Sequence, residues 1–182
     1  MTFTREQILG LLMATAVFLL VIAQIWGSLA GIPVGAPFHL NGRDFGLGIL
    51  LGWGIMGLSI VMYYGWPQYR ESADMYLSLV LKPLAPLDTI WVGLLPGLSE
   101  ELLFRGIALP ALGLVLSSLL FGVAHLFDWR QWPYALWATG IGLLLGLTTL
   151  WSQNLLVPVV AHVTTNILST LFWRLRLSSP GP

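Results

Sequence analysis

The chain has 182 residues, 57% of them hydrophobic and 9% charged, where an ordinary soluble domain carries about 25% charged residues. Lys+Arg and Asp+Glu balance at 8 each, and the mean hydropathy is +0.83. This composition excludes disorder and leaves no basic surplus to grip nucleic-acid phosphates. It also cannot clothe a water-soluble globule of this size, so the expected class is an integral membrane protein. With no cysteine, disulfides, thiolate catalysis and Cys-ligated metals are excluded.

No Asp, Glu, Lys or Arg occurs between Gln7 and Gly42, Phe45 and Tyr69, Gly106 and Phe127, or Gln131 and Trp173. A crossing needs about 20 apolar residues, and six spans are expected. The first is Ile8–Ala30, too long for a signal-peptide core of about 7–15 residues and so read as an uncleaved helix. The second is Phe45–Trp66, ended by Pro67. From Arg70 to Lys82, polar Glu71, Asp74, Ser78 and Lys82 recur at helical spacing opposite Tyr76, Leu79 and Val80. That is the pattern of a short amphipathic helix in the membrane interface. Pro83 and Pro86 end it, and Asp88 is the expected N-cap of the third span.

The third span, Thr89–Leu109, is followed by a tight Pro110–Gly113 turn and a fourth span, Ala111–Phe127. Pro133–Trp151 and Leu155–Trp173 complete the set, and Ser178–Pro182 is expected to be a disordered tail. Trp26, Trp66, Trp91, Trp132, Trp151 and Trp173 fall near span ends, as an interfacial belt requires. Gly48/Gly52, Gly93/Gly97 and Gly142/Gly146 carry the spacing of close helix approach. Arg5, Arg70, Lys82, Arg130, Arg174 and Arg176 fall on one side and Arg43 on the other. The positive-inside rule then puts both termini in the cytoplasm. The expected organisation is one integral membrane domain: residues 1–82 as N-terminal helices plus the interfacial helix, and 83–177 as the helical core.

The third span carries Glu100, Glu101 and Arg105. Three ionised groups in one membrane helix cost on the order of 8–10 kcal/mol uncompensated. Glu101 and Arg105, at i,i+4, share a face and can pair; Glu100, rotated by about 100°, cannot join them. Pro96 removes a backbone hydrogen bond one turn earlier and favours a kink. The fourth span contains Phe121 and His125, the sixth His162 and Asn166, each pair again at i,i+4. A purely structural ion pair would leave Glu100 without a reason. Polar groups in hydrocarbon find partners, so these residues are expected to meet inside the bundle. His39, in a loop, receives no role.

A buried carboxylate is a usable general base. Glu100 can take a proton from water that His125 positions, while His162 and Asn166 donate to an oxyanion. The competing chemistry is a metal held by Glu100, His125 and His162, although no HExxH motif is present. Serine catalysis lacks a GxSxG elbow.

Glu100-Glu101-Leu102-Leu103-Phe104-Arg105, then Phe121 to His125, then His162 to Asn166 read as EExxxR, FxxxH and HxxxN on successive membrane helices. In that order they resemble the CPBP family of glutamic intramembrane endopeptidases, the CAAX proteases and bacteriocin-processing (ABI) enzymes. The resemblance covers about Pro83–Trp173, including Gly142–Gly146, and residues 1–82 add nothing to it. This chain has fewer spans than the eukaryotic members.

The resemblance implies an all-α membrane endopeptidase. Glu100 and His125 would activate water, His162 and Asn166 would form the oxyanion hole, and Glu101, Arg105 and Phe121 would support them. No cofactor is expected. The implied partners are membrane lipids and a membrane-associated, in some members prenylated, protein or peptide; other members serve peptide maturation or bacteriocin immunity. Two further readings stand beside the protease. One is a non-catalytic interaction or immunity protein that keeps the motifs for structure. The other is a small ion or proton relay through Glu100, His125 and His162.

Overall fold

The structure, a computed structural model, describes residues 3–178. Helix α1 (Arg5–Ala30) starts ahead of the expected Ile8 because Thr4 and Gln7 cap each other: the Gln7 N–H donates to Thr4 Oγ1 at 3.3 Å and the Thr4 N–H to Gln7 Oε1 at 2.9 Å. Asn41 opens α2 (Gly42–Gly65) by accepting from the Asp44 N–H at 2.9 Å. Trp66 alone separates α2 from α3 (Pro67–Leu81). Pro67 suits the first turn of α3, where its missing N–H has no helical partner to lose.

Helix α4 (Thr89–Leu103) runs through Pro96 into a π-helical turn, Phe104–Ala108, and then into α5 (Leu109–Ala124). After them come α6 (Trp132–Ser152) and α7 (Leu156–Ser178), the latter extending past the expected end at Trp173. Of the expected tail Ser178–Pro182, Ser178 closes α7 and the rest lies outside the described residues. Among the described residues there is no strand; the fold is the expected all-α polytopic bundle.

Three expectations change. The Pro110–Gly113 turn is helical except at Gly113, whose φ of 80° and ψ of 172° break the helix. The fourth span ends at Ala124 instead of Phe127. Five helical stretches, not six, are long and apolar enough to cross a membrane, because Pro86–Ala124 counts as one. Past Gly113 the remainder of α5 is too short to cross alone.

The long helices run between two ends of the bundle. At one end, Arg5 grips Asp88 with two 2.7 Å hydrogen bonds, and Arg174 donates to the Leu84 and Ala85 carbonyls at 2.9 and 3.0 Å. Ile8, Leu81, Leu84 and Trp173 cluster there. At the other end, the Leu155 N–H donates to the Pro37 carbonyl at 2.9 Å. The short α5 returns along α4 from Gly113, as the Phe104–Phe121 and Glu100–His125 pairings require. Both termini therefore lie at one end.

Asp88 also departs from expectation. It makes no cap bond to α4; buried, it accepts from the Ala85 N–H at 2.7 Å and from Arg5. A guanidinium from α1 outcompetes the α4 amides for this carboxylate, since a charge-assisted bidentate pair is the stronger bond.

Large apolar side chains point outward all round, among them Phe18, Leu50 and Val115, each more than 60% exposed. That is the outside of a lipid-facing bundle. Its inside is built on the three glycine pairs. A Cβ on Gly48 or Gly52 would lie 2.6 Å from Val160 or Thr164 of α7; on Gly93 or Gly97, 2.6 or 2.5 Å from Ile167 or Val163. Helices α2 and α4 thus press their backbones onto α7, and Gly142 and Gly146 bring α6 onto Ser118 and Leu114 of α5.

Candidate active site

Two neighbouring carboxylates on α4 face different partners. Glu101 is fully buried; its Oε1 accepts from Arg105 Nη1 at 2.8 Å and lies 2.7 Å from His162 Nδ1. Arg105 also donates through Nη2 to the Gly142 carbonyl at 3.2 Å, and its guanidinium lies 4.2 Å from the centre of the Phe121 ring. The expected i,i+4 pair is present, with His162 and the α6 backbone added to it. Glu100, one position earlier, points away from this network. Its Oε2 is 3.8 Å from His125 Nε2, beyond direct hydrogen-bond range, and has no hydrogen-bond partner among the described residues.

The histidine tautomers follow from these contacts. His125 Nδ1 is 2.8 Å from the Phe121 carbonyl, which only accepts; Nδ1 therefore carries the proton, and a neutral ring offers a bare Nε2 toward Glu100. Two acceptors thus face each other across a gap, an arrangement suited to a water that donates to both. By the same logic His162 donates Nδ1–H to the Glu101 carboxylate, leaving Nε2 for other contacts. Glu100 and His125 are 15% and 16% exposed, against 0% for Glu101. The first pair is accessible and the second carboxylate is sealed.

Phe121 is the hub. Its ring lies 4.7 Å from His125, 5.9 Å from His162 and 5.1 Å from Phe104, centre to centre. A cavity of about 140 Å³ opens here, and Glu100, His125, His162 and Asn166 all line it. Asn166 shows no hydrogen bond to another described residue. All the site residues expected from sequence thus converge on one place. Among the described residues no three His, Cys, Asp or Glu side chains are grouped as the alternative His₂Glu metal set would require.

The sequence reading missed the aromatic wall. Tyr69 and Tyr76 of α3 and Tyr134 and Trp137 of α6 line the same cavity. Burial, reinforced by the Glu100 carboxylate, pushes the Tyr76 phenol up to about 12, so it remains a hydrogen-bond donor. The seven-residue spacing of Tyr69 and Tyr76 on one face of α3 was the available signal. The π turn at Phe104–Ala108 was also missed; such turns concentrate at functional sites, but nothing in Phe104-Arg105-Gly106-Ile107-Ala108 announces one.

A curated protein of Bacillus subtilis (strain 168), "Uncharacterized protein YpbD", is 40% identical over 73 residues. The match takes in 40% of this chain and 39% of that relative's length. No solved structure matches. Residues 82–168, which carry all three motifs, match the family described as Type II CAAX prenyl endopeptidase Rce1-like. This segment of the chain is thus similar to the Rce1-like family of type II CAAX prenyl endopeptidases.

Proposed function

We propose that the chain is an intramembrane endopeptidase in which Glu100 activates a water to hydrolyse a peptide bond of a membrane-associated protein or peptide. The observation that carries this reading is the buried, unpartnered Oε2 of the partly exposed Glu100 side chain, facing the acceptor nitrogen of His125 at 3.8 Å. A water between them gives one proton to Glu100 as its oxygen attacks the carbonyl carbon, with His125 orienting its lone pair. The carbonyl oxygen becomes an oxyanion on the His162 and Asn166 side of the cavity. His162 donates there from Nε2 when its ring is doubly protonated, the state whose charge Glu101 balances; Asn166 donates from its amide. Collapse breaks the C–N bond, and the proton held by Glu100 leaves with the amine. Neither acyl-enzyme nor cofactor is needed.

The exposed apolar faces and the interfacial α3 suit a substrate already held at the membrane. The positive-inside distribution favours an approach from the cytoplasmic leaflet. Prenylated C-terminal peptides are the first candidates, since the matched family is described by that substrate class. The test is to incubate the chain in lipid nanodiscs with a mixed library of prenylated and unprenylated C-terminal peptides in H₂¹⁸O. Hydrolysis by an activated water puts one ¹⁸O in each new carboxylate, read by mass spectrometry. A folded chain that yields no product from any peptide would count against the protease and favour the interaction or immunity reading.

A further inference from the structure

His125 sits at the very end of α5, where the backbone has left the helical region with φ −94° and ψ 4°. Two of its contacts, the Phe121 carbonyl and the Phe121 ring, come from its own helix. At a helix end that has already left helical geometry they hold the ring loosely, and they do not set its angle to Glu100, which is on α4. The remaining ring contact is Tyr134 of α6, at 6.1 Å and 49°.

Tyr134 is itself held by two rings of α3. Tyr69 stacks on it at 6.2 Å and 7°, Tyr76 at 5.0 Å and 29°. These two are seven residues apart on one face of α3, so they act as the two jaws of one grip. Phe127 backs Tyr76 at 5.8 Å and 10°, and Trp137 backs Tyr69 at 5.6 Å. Aromatic pairs at such separations attract one another beyond the area they bury, and together they hold one ring in one place.

We infer that Tyr134 is a positioning residue for His125, held in register by a Tyr69/Tyr76 clamp on α3. The inference rests on the reading of Glu100 and His125 as the water-activating pair. It also gives α3, which precedes the matched segment, a task in the site: the interfacial helix sets the angle at which the His125 ring meets the water. The ring of Tyr134 does this, not its hydroxyl.

Two measurements on the full chain in nanodiscs test it. In the first, ¹⁵N spectra of the imidazoles are recorded without substrate, at a pH alkaline enough for neutral rings, and assigned with His39→Gln and His162→Gln. Wild type should show His125 as a single Nδ1–H tautomer. Tyr134→Leu should show averaged tautomers, and Tyr134→Phe should restore the wild-type pattern. Tyr76→Leu, which removes one jaw and leaves Tyr134 in place, should average them partly and covers the case where Tyr134→Leu fails to fold.

In the second, cleavage of the peptide library by Tyr134→Leu should fall about tenfold to a hundredfold in kcat with KM little changed, again rescued by Phe. A folded Tyr134→Leu with wild-type tautomer and kcat overturns the inference, as does a Tyr134→Phe as impaired as Tyr134→Leu. If wild type itself cleaves nothing, the proposed function fails separately, and the spectra still decide the clamp.

Discussion

At the scale of single residues, the site divides labour between two carboxylates one position apart. Glu101 belongs to a sealed network with Arg105 and His162, while Glu100 faces His125 at 3.8 Å and its Oε2 has no hydrogen-bond partner among the described residues. Breaking one side of a buried ion pair costs about 3–5 kcal/mol, because the remaining charge is stranded. Arg105→Gln should therefore lower the melting temperature in detergent sharply, and Glu101→Gln added to it should recover much of the loss. A double-mutant cycle reads that coupling directly. If folding returns without activity, the pair also orients His162. The i,i+4 spacing made the pair legible in sequence, and the 100° offset made Glu100 the odd one out. The His162–Glu101 contact was not legible, since it depends on how α7 is rotated against α4.

Among elements, α7 is the axis, and the glycines of α2 and α4 set how closely they approach it. A Cβ on Gly97 would lie 2.5 Å from Val163 Cγ2 and 3.0 Å from the Val163 backbone nitrogen, so the α4 helix itself must move. At Gly146 the nearest atom, also at 2.5 Å, is the flexible end of the Leu114 side chain. Gly97→Ala should accordingly destabilise by about 1–3 kcal/mol and Gly146→Ala by clearly less, as thermal unfolding of the two variants would report. The GxxxG spacing identified the pairs in advance; which member tolerates a methyl group depended on the facing atom.

The reversal at Gly113 was half legible. Pro110-Ala111-Leu112-Gly113 reads as a turn, yet proline is at home in the first helical turn, so α5 begins at Leu109 and only the glycine breaks it.

Across the whole molecule, charge-free stretches and turn residues were enough to place the long apolar helices and to bring both termini to one end, but they gave six spans where five stretches are long enough to cross. They did not reveal what locks the opposite end. Buried Asn154 accepts from the His39 N–H at 3.0 Å and the Leu156 N–H at 3.1 Å, and donates to the His39 carbonyl and to Asp44 at 2.8 and 2.7 Å. The three bonds to His39 and Asp44 join segments more than a hundred residues apart, a separation at which sequence pattern carries no signal. Asn154→Ala strands several buried polar groups and should cost about 1–3 kcal/mol for each group left unsatisfied, seen as faster amide exchange around residues 37–44. The absence of native cysteine permits a clean topology map. Arg70→Cys and Arg130→Cys should react with an impermeant thiol reagent from one side of oriented vesicles, and Arg43→Cys from the other.

The central claim is that Glu100 is kept for chemistry and Glu101 for structure. Its most direct test compares wild type, Glu100→Gln and Glu101→Gln in nanodiscs, measuring the melting temperature and peptide cleavage of each. Glu100→Gln should melt like wild type and lose cleavage by about a hundredfold or more, while Glu101→Gln should melt well below both. A Glu100→Gln chain that cleaves at the wild-type rate, or that melts as low as Glu101→Gln, would contradict the account.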